Sequence, residues 1–348
     1  MFDKDTKRFK NLFKNNNFIF LNKNIIKDMN ENKEPIIRID YTVSFDTQFV
    51  SFIERYFIGK RIEQIEEFED ILYKLIKNDV NSDYMPYIFE NIAKGESKEA
   101  IKLNIKHIVN FFHLDKSSSC LLKNMQIKNQ IQCDLDYNDI VENTIDKINY
   151  NELNGFQEQQ EIMYIILMKM IIINKEKKSP KQKINELVNF MHNSIFTIFD
   201  RELTIAIKFY ENQNELKFFN KVVNINSKTL IQLSNMAWDL ALVRLIEQAY
   251  ALRPREEADF FISYFLTFDE GLSQIIDCYP LKAILMLNKS ETLQVISNVD
   301  KAEIVQKYKL EEYFSIEAYQ FRNKNREKGK EKKSILKAEL EDKIKEYA

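Results

Sequence analysis

The pattern of apolar and polar residues begins with a predicted strand followed by a helix. Residues 36–45 alternate and carry β-branched side chains, which predicts a strand that ends at Asp46. Residues 47–58 then repeat apolar side chains at helical spacing, and Gly59 is typical of a residue that ends a helix. A strand that delivers an aspartate to the start of a helix is therefore predicted here.

Further apolar segments predict strands in the second half of the chain. Residues 260–266 are apolar throughout, as expected of a strand covered on both faces, and residues 267–276 indicate the passage from its end into a helix. Residues 281–287 favour another buried strand, with a short helix as the alternative. Residues 194–199 are compatible with a second strand of the sheet.

Helical patterns account for most of the remaining chain. They cover residues 61–193 with polar breaks, residues 200–213 and residues 236–252. The most apolar run, 162–173, is too short for a membrane span and contains a lysine, so we expect a buried helix. The charged residues 322–348 are typical of a solvated helix or a loose tail.

Composition favours the same helix-rich α/β class. The 348 residues are 45% hydrophobic, enough for one large domain or two smaller ones. Five Gly and five Pro are too few for the turns of an all-β fold. With 51 basic and 53 acidic residues the formal charge is -2, so any nucleic-acid contact must come from a local patch.

Cysteine usage and the N-terminal residues predict a cytoplasmic protein. Cys120, Cys133 and Cys278 lack CxxC spacing, which fits a reducing compartment and provides no zinc framework. The N-terminal apolar stretches are too short and too interrupted for a signal peptide or a membrane span, so we expect no membrane association.

Three aspartates stand where predicted strands meet helices, or where a helix lies near strand ends. Asp46 follows the first strand, Asp239 lies in the helix 236–252, and Asp269 follows the strand 260–266. In a parallel α/β sheet such positions come together at the carboxyl edge. Crowded carboxylates repel one another, and a hard divalent ion such as Mg²⁺ or Mn²⁺ relieves this because it prefers oxygen ligands. The pattern therefore predicts a metal centre.

The segments around these aspartates resemble the motifs of the PIN-like nuclease family. SFDTQFVSF around Asp46 resembles the first motif, WDLALVRLIEQA around Asp239 the third, and FISYFLTFDEGL around Asp269 the fourth. The family's remaining acid lies on an intervening helix, and DRELTIAIKFY is the best match, which assigns Glu202 to this role with Asp200 as the rival. The resemblance thus implies four catalytic, metal-binding acids: Asp46, Glu202, Asp239 and Asp269.

The resemblance also implies a Rossmann-like parallel sheet flanked by helices and metal-dependent hydrolysis of phosphodiester bonds, in RNA more often than in single-stranded DNA. The implied PIN-like domain comprises residues 36–59 and 194–290. Residues 1–35 form an N-terminal extension, 60–193 a helical insertion and 291–348 a helical, charged C-terminal region. By analogy with the family, a role as a toxin or an antiviral effector is expected.

Structural interpretations of the same residues remain open. Asp46 and Asp269 are both placed to cap the helices that follow them, and Glu202 has the position of a solvated helix residue. Asp239 is the exception, since a carboxylate beside Trp238 in an apolar helix is costly without a partner. The alternative function is a non-catalytic PIN-like scaffold that binds a protein partner through its helical insertion, or that assembles as a homo-oligomer.

Overall fold

The computed structural model describes most of the chain and divides it into two compact units. The described residues are 8–13, 30–31, 38–77, 80–112, 138–146, 148, 150–212, 215–249, 258, 260–286 and 293–348. The first unit comprises Met1–Asn11, Ile19–Gln157 and Gln248–Phe268, and the second comprises Leu12–Phe18, Glu158–Glu247 and Asp269–Ala348. This division separates segments 36–59 and 194–247, which the family resemblance places in one domain.

A small, mostly parallel sheet organises the first unit. Its strands are β1 (Phe9–Lys10), β2 (Ile39–Phe45), β3 (Ser82–Asp83) and β4 (Phe260–Leu266), in the order β1-β4-β2-β3. β2 pairs in parallel with both β3 and β4, whereas β1 runs antiparallel to β4. The predicted strands before Asp46 and after residue 259 are confirmed, and the chain is a mixed α/β protein in which helices dominate.

The helices of the first unit pack on this sheet and on one another, and one of them contributes an aromatic ring to the core. They are α1 (Thr47–Phe57), α2 (Ile65–Lys77), α3 (Met85–Ala93), α4 (Lys98–Phe112) and α5 (Asn138–Asp146). The ring of Phe49 on α1 lies 4.8 Å from Phe45, 5.6 Å from Phe68 and 6.0 Å from Phe268, measured between centroids. These contacts join the ends of β2 and β4 to the helices that follow β2, because Phe268 lies just past β4.

The second unit consists mainly of helices around an aliphatic and aromatic core. Its elements are α6 (Tyr150–Lys175, except its first residues), α7 (Pro180–Phe190), α8 (Asp200–Glu211), α9 (Thr229–Ala249, except its last residues), α10 (Glu270–Cys278), α11 (Lys301–Tyr308), α12 (Ile316–Tyr347), and the antiparallel hairpin of β5 (Leu281–Met286) and β6 (Leu293–Ser297). Short 3-10 turns cover Lys217–Phe219 and Glu311–Tyr313. The apolar run 162–173 lies inside α6 and is largely buried, which confirms its prediction as a buried helix.

The prediction of a strand at residues 194–199 is wrong. A π-helical turn, Met191–Ile195, continues from α7, and Phe196 ends it in the left-handed conformation with φ 55°. The backbone of Gly329 on α12 approaches this turn so closely that a Cβ atom there would lie 2.9 Å from the Ile195 carbonyl oxygen. An apolar stretch of this length is compatible with either a strand or a helix. Here it forms a helical turn that packs against α12.

Two further predicted elements agree with the structure within the described residues, with one difference in pairing. The charged residues 322–348 belong to α12, a helix and not a loose tail. The strand predicted at 281–287 is confirmed as β5, but its described partner is β6 in an antiparallel hairpin. None of the helices within the described residues is long and apolar enough to cross a membrane.

Candidate active site

Asp46 lies where two parallel strands of the first unit end side by side. β2 lies between β3 and β4 in the sheet. β3 follows β2 closely in the sequence, whereas β4 follows much later, so the connections from β2 lead to opposite sides of the strand. The backbone N–H of Asp46 donates to the Leu266 carbonyl oxygen at 3.2 Å, immediately after the paired residues Phe45 and Leu266. In open α/β sheets, ligands bind outside the carboxyl ends of the strands at this kind of switch point.

The Asp46 side chain also caps the helix that follows it. It is 4% exposed, and its Oδ1 accepts the backbone N–H of Phe49 at 2.5 Å. The capping interpretation from the sequence is therefore confirmed. A carboxylate has about four lone-pair positions, so capping through Oδ1 is compatible with coordination of a cation.

Glu90 is a second carboxylate at this site, and the sequence interpretation did not select it. It lies on α3, is 5% exposed, and accepts a short hydrogen bond from the hydroxyl of Thr47, the residue after Asp46. Lys94, the C-cap residue of α3, donates to Glu90 Oε1 at 2.5 Å. Thr47 thus holds the Glu90 carboxylate next to the start of α1.

Asp83 places a third carboxylate on the neighbouring strand. It is aligned with Ser44 in the parallel register of β2 and β3, and its Oδ2 accepts the Ser44 hydroxyl at 2.9 Å while Oδ1 accepts the Met85 N–H at 2.9 Å. Burial raises the pKa of the Asp83 carboxyl, and these two hydrogen bonds only partly oppose the shift. A carboxyl group held in such surroundings is typical of a functional site, although buried structural networks also produce it.

A signal for these two acids is present in the sequence. Glu90 directly follows the apolar residues 87–89, and a carboxylate in such surroundings needs a partner, as is also the case for Asp239. Asp83 precedes Met85 and Pro86, and a proline in the first turn is typical of a helix start. The helical interpretation of residues 61–193 concealed Asp83, because β3 contains two residues and is too short for an alternation pattern.

Glu202, the predicted second metal ligand, lies in a buried charge network of the second unit. It is 1% exposed, so its interpretation as a solvated residue is wrong, and its Oε2 accepts a short hydrogen bond from Arg244. Arg244 also pairs with Glu247 at 3.3 Å, and Glu247 lies 3.4 Å from Arg201. These arginines match the negative charge of Glu202, which reduces its ability to attract a metal ion.

The other predicted acids of the second unit have different surroundings. Asp200, the rival of Glu202, is 39% exposed and pairs with Lys301 at 2.9 Å. Asp239 is partly exposed on α9, beside the buried Trp238. Asp269 caps α10 by accepting the Leu272 N–H at 2.9 Å, so the capping interpretation is confirmed for this residue too.

Among the described residues, no group of three or more His, Cys, Asp and Glu side chains is arranged to hold a metal ion. Comparisons of the chain with protein-family models, with curated proteins and with solved structures give no match.

Gly271 lies close to the side chain of Asp269 and to the backbone of another segment, so its replacement tests how tightly this region is packed. A Cβ atom at Gly271 would lie 3.0 Å from Asp269 Oδ1 and 3.0 Å from the Phe218 Cα. We expect Gly271→Ala to lower the free energy of unfolding by about 1–3 kcal/mol, because backbone atoms must move to admit the methyl group. Chemical denaturation followed by circular dichroism measures the change.

Gly155→Ala is the matched control for this substitution. Gly155 lies in α6, and a Cβ atom at this position would have no neighbouring atom within 4 Å. Alanine there is expected to stabilise the protein by about 0.5–1 kcal/mol, because it lowers the entropy of the unfolded chain without any clash. Similar changes in both variants would contradict the tight approach at Gly271.

Proposed function

We propose that this chain is a metal-dependent nuclease that hydrolyses phosphodiester bonds, in RNA in preference to DNA, through a PIN-like site at the carboxyl end of β2. The observation that carries the proposal is the position of Asp46 at the switch point between β2 and β4, with Glu90 held beside it through Thr47. The strand order around β2 is compatible with the Rossmann-like sheet that this family uses.

In this proposal Asp46 and Glu90 are the metal ligands of the first unit. Mg²⁺ keeps several waters and is commonly bound through only one or two carboxylates, so two such groups are a sufficient protein contribution. Both supply hard oxygen donors, which Mg²⁺ and Mn²⁺ prefer. Glu90 replaces Glu202 as the proposed second acid because Thr47 holds it next to Asp46, whereas Glu202 belongs to the second unit and pairs with Arg244. Asp239 and Asp269, which belong to the second unit, stay predictions of the sequence resemblance.

The neighbouring residues position the two carboxylates. A bound Mg²⁺ or Mn²⁺ supplies Lewis-acid polarisation of a phosphoryl oxygen and lowers the pKa of an attacking water. Thr47 fixes the rotamer of Glu90 through its hydroxyl, and the capping hydrogen bond from Phe49 fixes that of Asp46. Lys94 places a positive charge beside Glu90, where it can also attract a phosphate.

A cleavage assay with matched variants tests the proposal. Labelled RNA and single-stranded DNA are incubated with Mn²⁺ and the parent chain, Asp46→Asn or Glu90→Gln, and Mn²⁺ affinity is measured in parallel by titration. We expect each substitution to reduce cleavage by at least about 100-fold, since loss of even an outer-shell partner of a metal costs 10–100-fold. Glu99→Gln, an exposed glutamate on α4, is the control and is expected to retain full activity.

Two results would contradict the nuclease proposal. Equal cleavage by the parent chain and by Asp46→Asn would place the activity elsewhere or in a contaminant. Absence of both cleavage and Mn²⁺ binding in the folded parent chain would favour the alternative, a non-catalytic scaffold.

A further inference from the structure

A groove in the second unit combines apolar, aromatic and cationic side chains. It has a volume of about 600 Å³ and lies between the first two turns of α11 and the first two turns of α12. Its lining residues are Lys301, Ala302, Val305, Phe314, Ser315, Ile316, Tyr319 and Arg322. Both charged residues of this lining are cations, and Asp200, which pairs with Lys301, is not part of the lining, so the groove itself is complementary to an anionic ligand.

Neighbouring groups hold both cations in place. Lys301 Nζ lies 4.8 Å above the Phe314 ring and pairs with Asp200 at 2.9 Å. Arg322 Nη1 donates to the Tyr313 carbonyl oxygen at 2.6 Å and lies 3.1 Å from His192 Nδ1, and these two contacts fix the guanidinium. A guanidinium held in this way loses little conformational entropy when it binds a phosphate.

Apolar side chains beside these cations are unusually exposed. Ile316 is 72% exposed and Tyr319 is 59% exposed, and both line the groove. An exposed tyrosine next to positive charge is the arrangement on which an unpaired base stacks, while its phosphates contact the cations.

The positive charge continues along α12 beyond the groove. Between residues 322 and 333, seven positions are Lys or Arg and two are Glu, in a chain whose formal charge is -2. Most of these basic side chains are exposed. This segment is therefore a local basic patch, which a protein with a slightly negative overall charge needs in order to bind nucleic acid.

We infer that this groove binds single-stranded nucleic acid, with Tyr319 stacking on a base and Lys301 and Arg322 contacting the phosphates. The inference rests on the proposed nuclease function for the choice of ligand, but it concerns a separate site. A single strand is favoured over a duplex because stacking on Tyr319 requires an unpaired base.

Fluorescence anisotropy with a short labelled RNA, in the Asp46→Asn background and with EDTA present, tests the inference without cleavage. We expect Tyr319→Ala to weaken binding by at least about five-fold, the lower end of the loss found when a stacking aromatic is removed. Lys301→Gln is expected to reduce the slope of log affinity against log salt by about 0.7, the contribution of one phosphate contact to a single strand.

Tyr347→Ala and Lys345→Gln, at the opposite end of α12, are the matched controls and are expected to bind as the parent does. Circular dichroism verifies that every variant is folded. Unchanged binding in Tyr319→Ala, equal binding of a duplex of the same sequence, or equal binding of poly-glutamate would each overturn the inference. Binding in EDTA without Mn²⁺-dependent cleavage by the parent chain would instead contradict the nuclease proposal alone.

Discussion

Replacement of Glu202 by alanine is expected to lower the free energy of unfolding of the second unit by about 3–5 kcal/mol, the cost of breaking a buried ion pair by removing one partner. Glu202 accepts the hydrogen bond of Arg244 and is 1% exposed. Without it, two arginines share Glu247 as the remaining carboxylate of the network. The fluorescence of Trp238, the sole tryptophan, follows the transition because this residue is buried in the same unit.

The energetic cost is large because the charges of this network are buried and only partly hydrogen-bonded. The Arg201 side chain is fully buried, and burial lowers the pKa of its guanidinium while Glu247 opposes that shift. Arg201 Nη1 donates to the Tyr279 carbonyl oxygen at 3.4 Å, whereas Arg201 Nε and Glu202 Oε1 have no hydrogen-bond partner in the described residues. Loss of the Glu202 carboxylate leaves an excess positive charge on the arginines, which the protein interior stabilises poorly.

Two controls separate this role from metal binding. Glu327→Ala removes an equivalent ion pair from an exposed site, where Glu327 and Lys330 are 76% and 60% exposed, and is expected to cost less than about 1 kcal/mol. The double variant Glu202→Leu with Arg244→Met removes both charges and is expected to be more stable than Glu202→Ala. A small loss in Glu202→Ala without metal, together with weakened Mn²⁺ binding, would restore Glu202 as a ligand.

Replacement of Phe49 by alanine is expected to lower the free energy of unfolding of the first unit by about 3–5 kcal/mol, as for other buried phenylalanines. Phe49 is 0% exposed and contacts the rings of Phe45, Phe68 and Phe268. Its loss leaves a cavity next to the segment that carries Asp46. Denaturation followed by far-ultraviolet circular dichroism measures the loss in the free energy of unfolding. Under the proposed function, the substitution is also expected to weaken Mn²⁺ binding.

Ile231→Ala provides the comparison for Phe49→Ala. Ile231 lies on a helix and is 67% exposed, so its truncation is expected to change the free energy of unfolding by less than about 0.5 kcal/mol. A comparable loss in both variants would show that the ring cluster contributes no more than an exposed aliphatic side chain. Phe49→Leu is expected to have an intermediate effect, because it preserves much of the buried volume.

Local patterns predicted the first strand and helix well because both depend on neighbouring residues. Alternation before Asp46, helical spacing after it and the glycine that ends α1 are properties of one segment, and they reappear as β2 and α1. The same holds for the buried run in α6 and for β4. The strand predicted at 194–199 failed because a short apolar run has no period long enough to distinguish strand from helix.

The sequence by itself determined the helix-rich α/β class, the main elements and the placement of Asp46 and Asp269 as helix caps next to β2 and β4. Only the tertiary structure decided which charged groups meet. Glu90 reaches Thr47 from a helix 43 positions later, and Glu202 meets Arg244 across 42 positions. The physical reason is that hydrophobic periodicity fixes which face of a segment is buried, whereas partners for buried charges depend on how distant segments pack.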